Sequence, residues 1–461
     1  MGERRQRLNA RTLANAQARV PDYDRAGAPT IVHIGLGAFA RAHVAVYADE
    51  LLRQGTPALI RGVSLRSRRV QHQLEPQDGL FTVAVREPGA APRLQVVGAL
   101  VSTGSGPAAA MAALTAPSTQ LVTLTITENG YGRSADGEQA AGAPPTSVPA
   151  LIALALDQRR QAGLAAPVFA SLDNLLDNGA VLRARVLDEA ERLDDALAEW
   201  IARDVRFPSS VVDRMVPAVT ETVVEEIAEE LGLTDEAAVT TEQHRSWIVR
   251  AVDGLDHLAD AGVELVDDVA PFERRKLWLL NGPHSAVAYG GMLAGHATIA
   301  RAVTDPVIAR LARDIVEDTL EVARFPAALR PATFADDALR RFANPALGHT
   351  CAQVGADGSA KLPQRLLPVV AARQAASLGT LGFALVTAIW LAGAGGVDVP
   401  RVRLPALTDP LAPQLRAAAV RPDGLRELSR VALGASVFAE EVARMLDRLT
   451  KEGLPLLEAA R

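Results

Sequence analysis

Three polar side chains interrupt an otherwise apolar stretch, Arg275-Lys276-Leu277-Trp278-Leu279-Leu280-Asn281-Gly282-Pro283-His284-Ser285. On an α-helix turning about 100° per residue, Asn281 lies about 140° and His284 about 80° from Lys276, so the three share one side. A half-buried lysine among apolar groups has its pKa lowered, which a general base working near neutral pH needs. An asparagine carboxamide can donate to a developing alkoxide, and a histidine can orient the hydroxyl that loses its proton. Composition sharpens the lysine: of 48 basic residues only Lys276, Lys361 and Lys451 are lysine. Almost everywhere else this chain carries arginine, which cannot give up its proton. Taken singly, the three residues are explained as a snorkelling lysine, a capping asparagine and a satisfied core histidine. Taken together, they read as a proton-transfer site.

A second chemical signature is Gly35-Leu36-Gly37-Ala38-Phe39-Ala40, a G-x-G-x-x-[GA] run. It follows a short β-branched strand, Ile31-Val32-His33-Ile34, and opens a helical pattern. Gly35 allows the tight turn and Gly37 lets backbone approach a pyrophosphate. The small third residue lets the helix pack on the strand, with the helix N-terminus facing the anion. In that setting the motif predicts dinucleotide binding around Gly35, Gly37 and Phe39. A ribose-binding acid is expected ~20 residues further on, at the end of the second strand. That strand runs instead into Ser64-Leu65-Arg66-Ser67-Arg68-Arg69. Either Arg66 and its neighbours hold a 2′-phosphate, which favours NADP, or they are solvated loop charges. The residues alone leave both open.

These groups need a scaffold. Segments 58–65, 121–127 and 168–172 read as further strands, and 39–52 as a helix. Strands separated by helical patterns predict a parallel, doubly wound sheet. Segment 132–149, crowded with Gly, Ala, Pro and Ser, reads as a surface loop. Beyond about residue 270 strand-like runs almost vanish and the 3.6-residue period dominates, most clearly over 304–324, 371–392 and 427–449. The expected fold class is α/β. A charged tail (1–27) precedes a Rossmann-type doubly wound domain (28–270) and a mostly α-helical domain (271–461) for substrate binding and catalysis.

Composition limits the rest. Hydrophobic residues at 49% and charged residues at 22% match the globular averages of ~45–50% and ~25%, which excludes disorder for the bulk of the chain. A net charge of −6 offers no basic excess for nucleic acid or an anionic membrane. Cys351 is the one cysteine, so neither an intrachain disulfide nor a thiolate metal cluster forms, and the 8 histidines show no ligand spacing. The first 27 residues lack an apolar signal core. The longest uncharged run, 374–397, carries Ser377, Thr380 and Thr387 among glycines and alanines, and reads as a buried helix ending near Gly393. The expected protein is cytoplasmic and metal-free, with a small-molecule partner and no nucleic-acid or membrane partner.

In order along the chain come Gly35-Leu36-Gly37-Ala38-Phe39-Ala40-Arg41-Ala42-His43, Thr125-Ile126-Thr127-Glu128-Asn129-Gly130-Tyr131 and Ser171-Leu172-Asp173-Asn174. Val212-Asp213-Arg214-Met215-Val216-Pro217, Lys276 to Ser285, Arg341-Phe342-Ala343-Asn344-Pro345 and Asp357 to Arg365 follow. This series resembles the long-chain polyol dehydrogenases, the family of mannitol 2-dehydrogenase and fructuronate reductase. The resemblance implies a metal-free active site in which Lys276 is the base, Asn174 and Asn281 stabilise the alkoxide, and His284 positions the substrate. It places Glu128 and Asp213 near the nicotinamide and its ribose, and favours NAD, with NADP possible. D-Mannitol to D-fructose is the first substrate pair expected. D-Mannonate to D-fructuronate is the alternative, because Lys361 and Arg365 could pair with a carboxylate; otherwise they make a salt bridge or interdomain contact. A catalytically silent, cofactor-binding metabolite sensor is the rival from another class. Three positions depart from the family pattern: Ala40 stands where histidine is usual, Pro283 where serine is frequent, and Asn129 where lysine or glycine is frequent. Pro283 lacks the N–H for Leu279, so a kink is expected between Asn281 and His284.

Overall fold

The structure is a computed structural model, and it describes residues 5–126, 128–131 and 147–459. The chain forms two compact units, Met1–Ala270 and Pro271–Arg461. Most of the loop expected over 132–149 lies outside the described residues. Its end is a helix start, where the Ser147 side chain accepts from Ala150 N–H ahead of the helix Val148–Gln161.

Among the described residues of the first unit, eleven strands form: β1 (Ile31–Ile34), β2 (Ile60–Ser64), β3 (Phe81–Val85), β4 (Arg93–Val97), β5 (Leu100–Ser105), β6 (Leu121–Leu124), β7 (Val168–Ser171), β8 (Ser210–Asp213), β9 (Val239–Thr241), β10 (Ser246–Arg250) and β11 (Glu264–Val266). Five make a parallel sheet in the order β5-β2-β1-β6-β7. β1, β6 and β7 are buried at every residue, as expected of parallel strands covered on both faces. Alternate residues of β1 point to opposite cores. Ile31 joins Tyr47, Leu51 and Trp247, whereas Val32 and Ile34 join Leu151, Phe169 and Ile201. Strand order reverses at β1, with β2 and β5 on one side and β6 and β7 on the other. Such a reversal opens a crevice at the carboxyl ends of β1 and β6. Two three-stranded sheets, β4-β3-β9 and β11-β10-β8, complete the unit.

Two expectations for this unit need correction. Residues 5–27 do not hang as a tail. Leu8 is fully buried with Leu80, Val96, Leu231 and Leu233, its N–H bonds to Thr234 O at 2.9 Å, and Arg25 Nε donates to Gly98 O at 2.8 Å. The helix expected over 39–52 is two helices, Ala38–Ala42 and Val44–Arg53, parted at His43 with φ −120° and ψ −82°. Its buried imidazole stacks on Phe39 at 4.9 Å and meets Trp247 at 5.8 Å, so packing outweighs helical propensity there.

His33, in the middle of β1, is 1% exposed, and burial pushes its pKa down to about 4. Between its ordinary value of about 6.5 and that lowered one, the unfolded chain holds a proton that the folded chain does not. Stability is therefore full above about 6.5 and falls as the pH falls, by on the order of 1 kcal/mol per pH unit. Urea titrations across this window should show the slope, and His33→Gln should flatten it.

Helices build the second unit. Gly282–Leu293, buried at every residue, packs against both Pro306–Val322 and Leu381–Gly395. Leu381–Gly395 is buried from Phe383 onward and stops at Gly396, φ +67°. At 15 residues it spans ~22 Å, and among the described residues no helix is long and apolar enough to cross a membrane. The other long helices are shorter than their periodic patterns. Ser377, φ +57°, separates Leu367–Ala375 from Leu381–Gly395. Gly434, φ +69°, separates Gly424–Leu433 from Val437–Glu452.

Candidate active site

In the first unit the candidate residues lie past the carboxyl ends of strands. Gly35 follows β1 at φ +98°, and a Cβ there would stand 2.0 Å from Thr125 O, so only glycine fits. Gly37 differs: an added Cβ would meet nothing closer than Gly35 O at 3.7 Å. Among the described residues no atom requires glycine at 37, which leaves an open backbone surface of the kind a pyrophosphate approaches. Arg41, 7% exposed, donates from Nε to Gly37 O at 3.3 Å and from Nη1 to Ala237 O at 2.8 Å, fastening the turn to the loop before β9. Burial lowers its pKa to about 10.

Arg66, Arg68 and Arg69 follow β2 and are exposed. Glu128 opens a 3-10 turn, Glu128–Tyr131, after β6; its side chain lies outside the described residues, as does that of Asn129. Asn174 is exposed in the turn after β7. Its neighbour Asp173 accepts from Ile126 N–H at 3.0 Å and from Tyr131 OH at 2.7 Å, which ties the turns after β6 and β7 together. Asp213 ends β8, 7% exposed, with His244 Nε2 at 3.2 Å from its carboxylate. Nothing in the sequence pointed to that histidine.

In the second unit, Lys276, Asn281 and His284 ride one helical run whose middle is not α-helical. Ala270–Lys276 and Gly282–Leu293 are α-helix, and Leu277–Asn281 between them is a π turn closed by Gly282 N–H on Leu277 O. The kink expected from Pro283 is thus replaced by a wider turn. Pro283 has no N–H to give and its ring would strike the Leu279 carbonyl in a regular α-helix; the π turn ends just before it. A π turn holds one residue more than an α turn, so spacings of five and eight act like four and seven. Asn281 and His284 then fall about 40° and 20° to either side of Lys276, a much narrower arc than α-helical spacing gives.

All three side chains are buried, Lys276 and Asn281 at 8% exposure and His284 at 7%. Asn281 Oδ1 and His284 Nε2 are buried without a hydrogen-bond partner among the described residues. Buried polar atoms are mostly paired, and these two lie on the face that Lys276 shares, where a ligand can supply the partner. The His284 ring stacks on Phe342 at 4.3 Å and 15°, and stands 5.9 Å from the His349 ring. Burial holds its pKa well below the ordinary value, and the positive charges of His349, Arg365, Lys361 and Arg341 push the same way. His284 is therefore a neutral imidazole through the neutral range.

Arg365, 8% exposed, donates from Nη1 to Ser285 Oγ at 3.2 Å. Lys361 is half-buried, with Nζ 2.7 Å from Ala356 O and 3.4 Å from Val354 O. Lys451 is exposed and paired with Asp447, so Lys276 is the buried member of the three lysines. The structure thus gathers Lys276, Asn281, His284, Arg365 and Lys361 in the second unit, while Gly35, Gly37, Phe39, Arg66, Glu128, Asn174 and Asp213 belong to the first. Among the described residues no three His, Cys, Asp or Glu side chains are grouped to hold a metal ion.

Residues 29–256 match the family model described as the mannitol dehydrogenase Rossmann domain, and residues 268–445 that of the mannitol dehydrogenase C-terminal domain. The chain is 34% identical over 441 residues to D-mannonate oxidoreductase of Escherichia coli (strain K12), covering 90% of each protein. It is 32% identical over 372 residues to polyol:NADP oxidoreductase of Gluconobacter oxydans (strain 621H), covering 76% of each. Among solved structures, the Pseudomonas fluorescens mannitol 2-dehydrogenase ternary complex with NAD and D-mannitol matches with a TM-score of 0.89 at 29% identity, over 98% of both chains.

Proposed function

The chain belongs to the mannitol dehydrogenase family, and from that premise we propose that it is an NAD-dependent dehydrogenase of a polyol, interconverting D-mannitol and D-fructose. The observation that carries the reading is the buried Lys276, Asn281 and His284 face, narrowed by the π turn and bearing two orphaned polar atoms. Gly35 and Gly37 fit a dinucleotide, one by the turn that only glycine makes, the other by backbone left open. NAD, when bound, supplies the hydride acceptor. Lys276 as a neutral amine takes the hydroxyl proton, and the amide N–H groups of Asn281 and Asn174 hold the oxygen as it becomes an alkoxide. His284, neutral, orients the hydroxyl through Nε2. Glu128 and Asp213 serve the nicotinamide end of the cofactor.

One observation favours a second substrate class. Arg341, Lys361 and Arg365 raise the positive potential at His284, which suits a sugar acid such as D-mannonate, with Lys361 and Arg365 on its carboxylate. A panel of polyols and aldonates with NAD and NADP, followed by NADH or NADPH absorbance, tests both readings. The first expects the highest kcat/KM with D-mannitol and NAD. A preference of about tenfold or more for D-mannonate would replace it with the second. A chain that binds NADH and turns over none of these compounds would be the sensor.

The exposed Arg66 bears on the cofactor. No acid repels a 2′-phosphate after β2, yet guanidinium groups in water contribute little once screened. NAD should be preferred, with NADP turned over measurably. If Arg66 reaches the 2′-phosphate, Arg66→Ala should lower kcat/KM for NADP more than for NAD, and an NADP preference of about tenfold in the wild type would reverse the assignment.

A further inference from the structure

At the crevice between β1 and β6 a hydrogen-bond chain runs from inside the sheet to the glycine turn. Thr125 Oγ1 donates to Gly35 O at 2.8 Å. A hydroxyl has one proton, so in its 2.9 Å contact with His33 Nε2 the imidazole is the donor. With the hydrogen on Nε2, Nδ1 accepts from the Thr123 hydroxyl at 2.8 Å. The carbonyl at the end of the chain thus sets the direction of every proton in it. Burial keeps the ring in the neutral state that this arrangement needs.

The chain ends on the turn itself. Thr125 is the first residue past β6, and its N–H still bonds Ile34 O at 2.9 Å. From the other side, Val63 O on β2 accepts from Gly35 N–H at 2.8 Å and Leu36 N–H at 3.3 Å. The Gly35–Leu36 peptide is therefore gripped from both strands that flank β1. Without the Thr125 hydroxyl its carbonyl loses a partner and one side of the grip opens.

We propose that His33, Thr123 and Thr125 form a positioning relay that fixes the Gly35–Leu36 peptide in the orientation a dinucleotide requires. The relay rests on NAD binding at this turn, as proposed above, and none of its members touches the reacting atoms.

Thr125→Val keeps the shape and removes the hydroxyl, and Thr125→Ser keeps the hydroxyl. For Thr125→Val, the Kd for NADH by fluorescence titration and the KM for NAD should rise about tenfold, with kcat at saturating NAD within about twofold of wild type. Thr125→Ser should restore both. His33→Leu should weaken NADH binding alone but add nothing in the Thr125→Val background, because the imidazole acts through the hydroxyl. If Thr125→Val lowers the Tm while NADH binds as tightly as to wild type, the chain is only structural and the proposal fails. Additive losses in the double variant would also overturn the relay. A wild-type chain that binds no NADH would overturn the cofactor reading and the relay together.

Discussion

Lys276→Arg should lower kcat by at least about 10³-fold while the Kd for NADH stays within a fewfold of wild type. The charge is kept and the base is lost: a guanidinium does not deprotonate in a protein, whereas an ammonium can. Lys276 is 8% exposed at the last position before the π turn, so the bulkier arginine also has to fit a packed site. Lys276→Met, unbranched and uncharged, separates chemistry from size. If both variants lose turnover and both bind NADH, the loss belongs to the proton transfer. Cofactor binding should survive because the glycine turn is part of the other unit. Retention of even about a tenth of wild-type kcat in Lys276→Arg would remove Lys276 from the role of base.

Legibility of the fold followed residue pattern closely. β1, β6 and β7 are short, mostly apolar and buried on both faces, so they stand out in the sequence, and the strand expected at 31–34 coincides with β1. β5 is equally part of the sheet, but Leu100–Ser105 carries two serines, a threonine and a glycine and reads as loop. β9 and β11 have 3 residues each, too few for a period of two to show. The site was legible where polar residues interrupt an apolar helix, which is why Lys276, Asn281 and His284 were found together. Nothing in Leu277–Asn281 announces a π turn, and Pro283 suggested only a kink. Phe342 and His349 reach His284 from other segments, a proximity that sequence separation hides. His33 looked like any strand residue because its partners, Thr123 and Thr125, lie about ninety positions on.

Asn281→Ala should cut kcat by a factor on the order of 10² to 10³, as for loss of one oxyanion donor. The π turn swings Asn281 to within about 40° of Lys276 around the helix axis, an arrangement that suits the proposal that amide and base address the same oxygen. Its Oδ1 has no partner among the described residues, so none of them holds the carboxamide at that end. Removing the amide should therefore cost little stability, and the Tm should move less than for an apolar truncation in the adjoining Gly282–Leu293 helix. Asn281→Asp sharpens the test, because a carboxylate of the same shape opposes negative charge on the substrate oxygen. It should be at least as slow as the alanine variant if the residue stabilises an alkoxide. A rise in KM with kcat unchanged in Asn281→Ala would instead show equal binding of substrate and transition state. The alkoxide would then have to be held by a group other than Asn281.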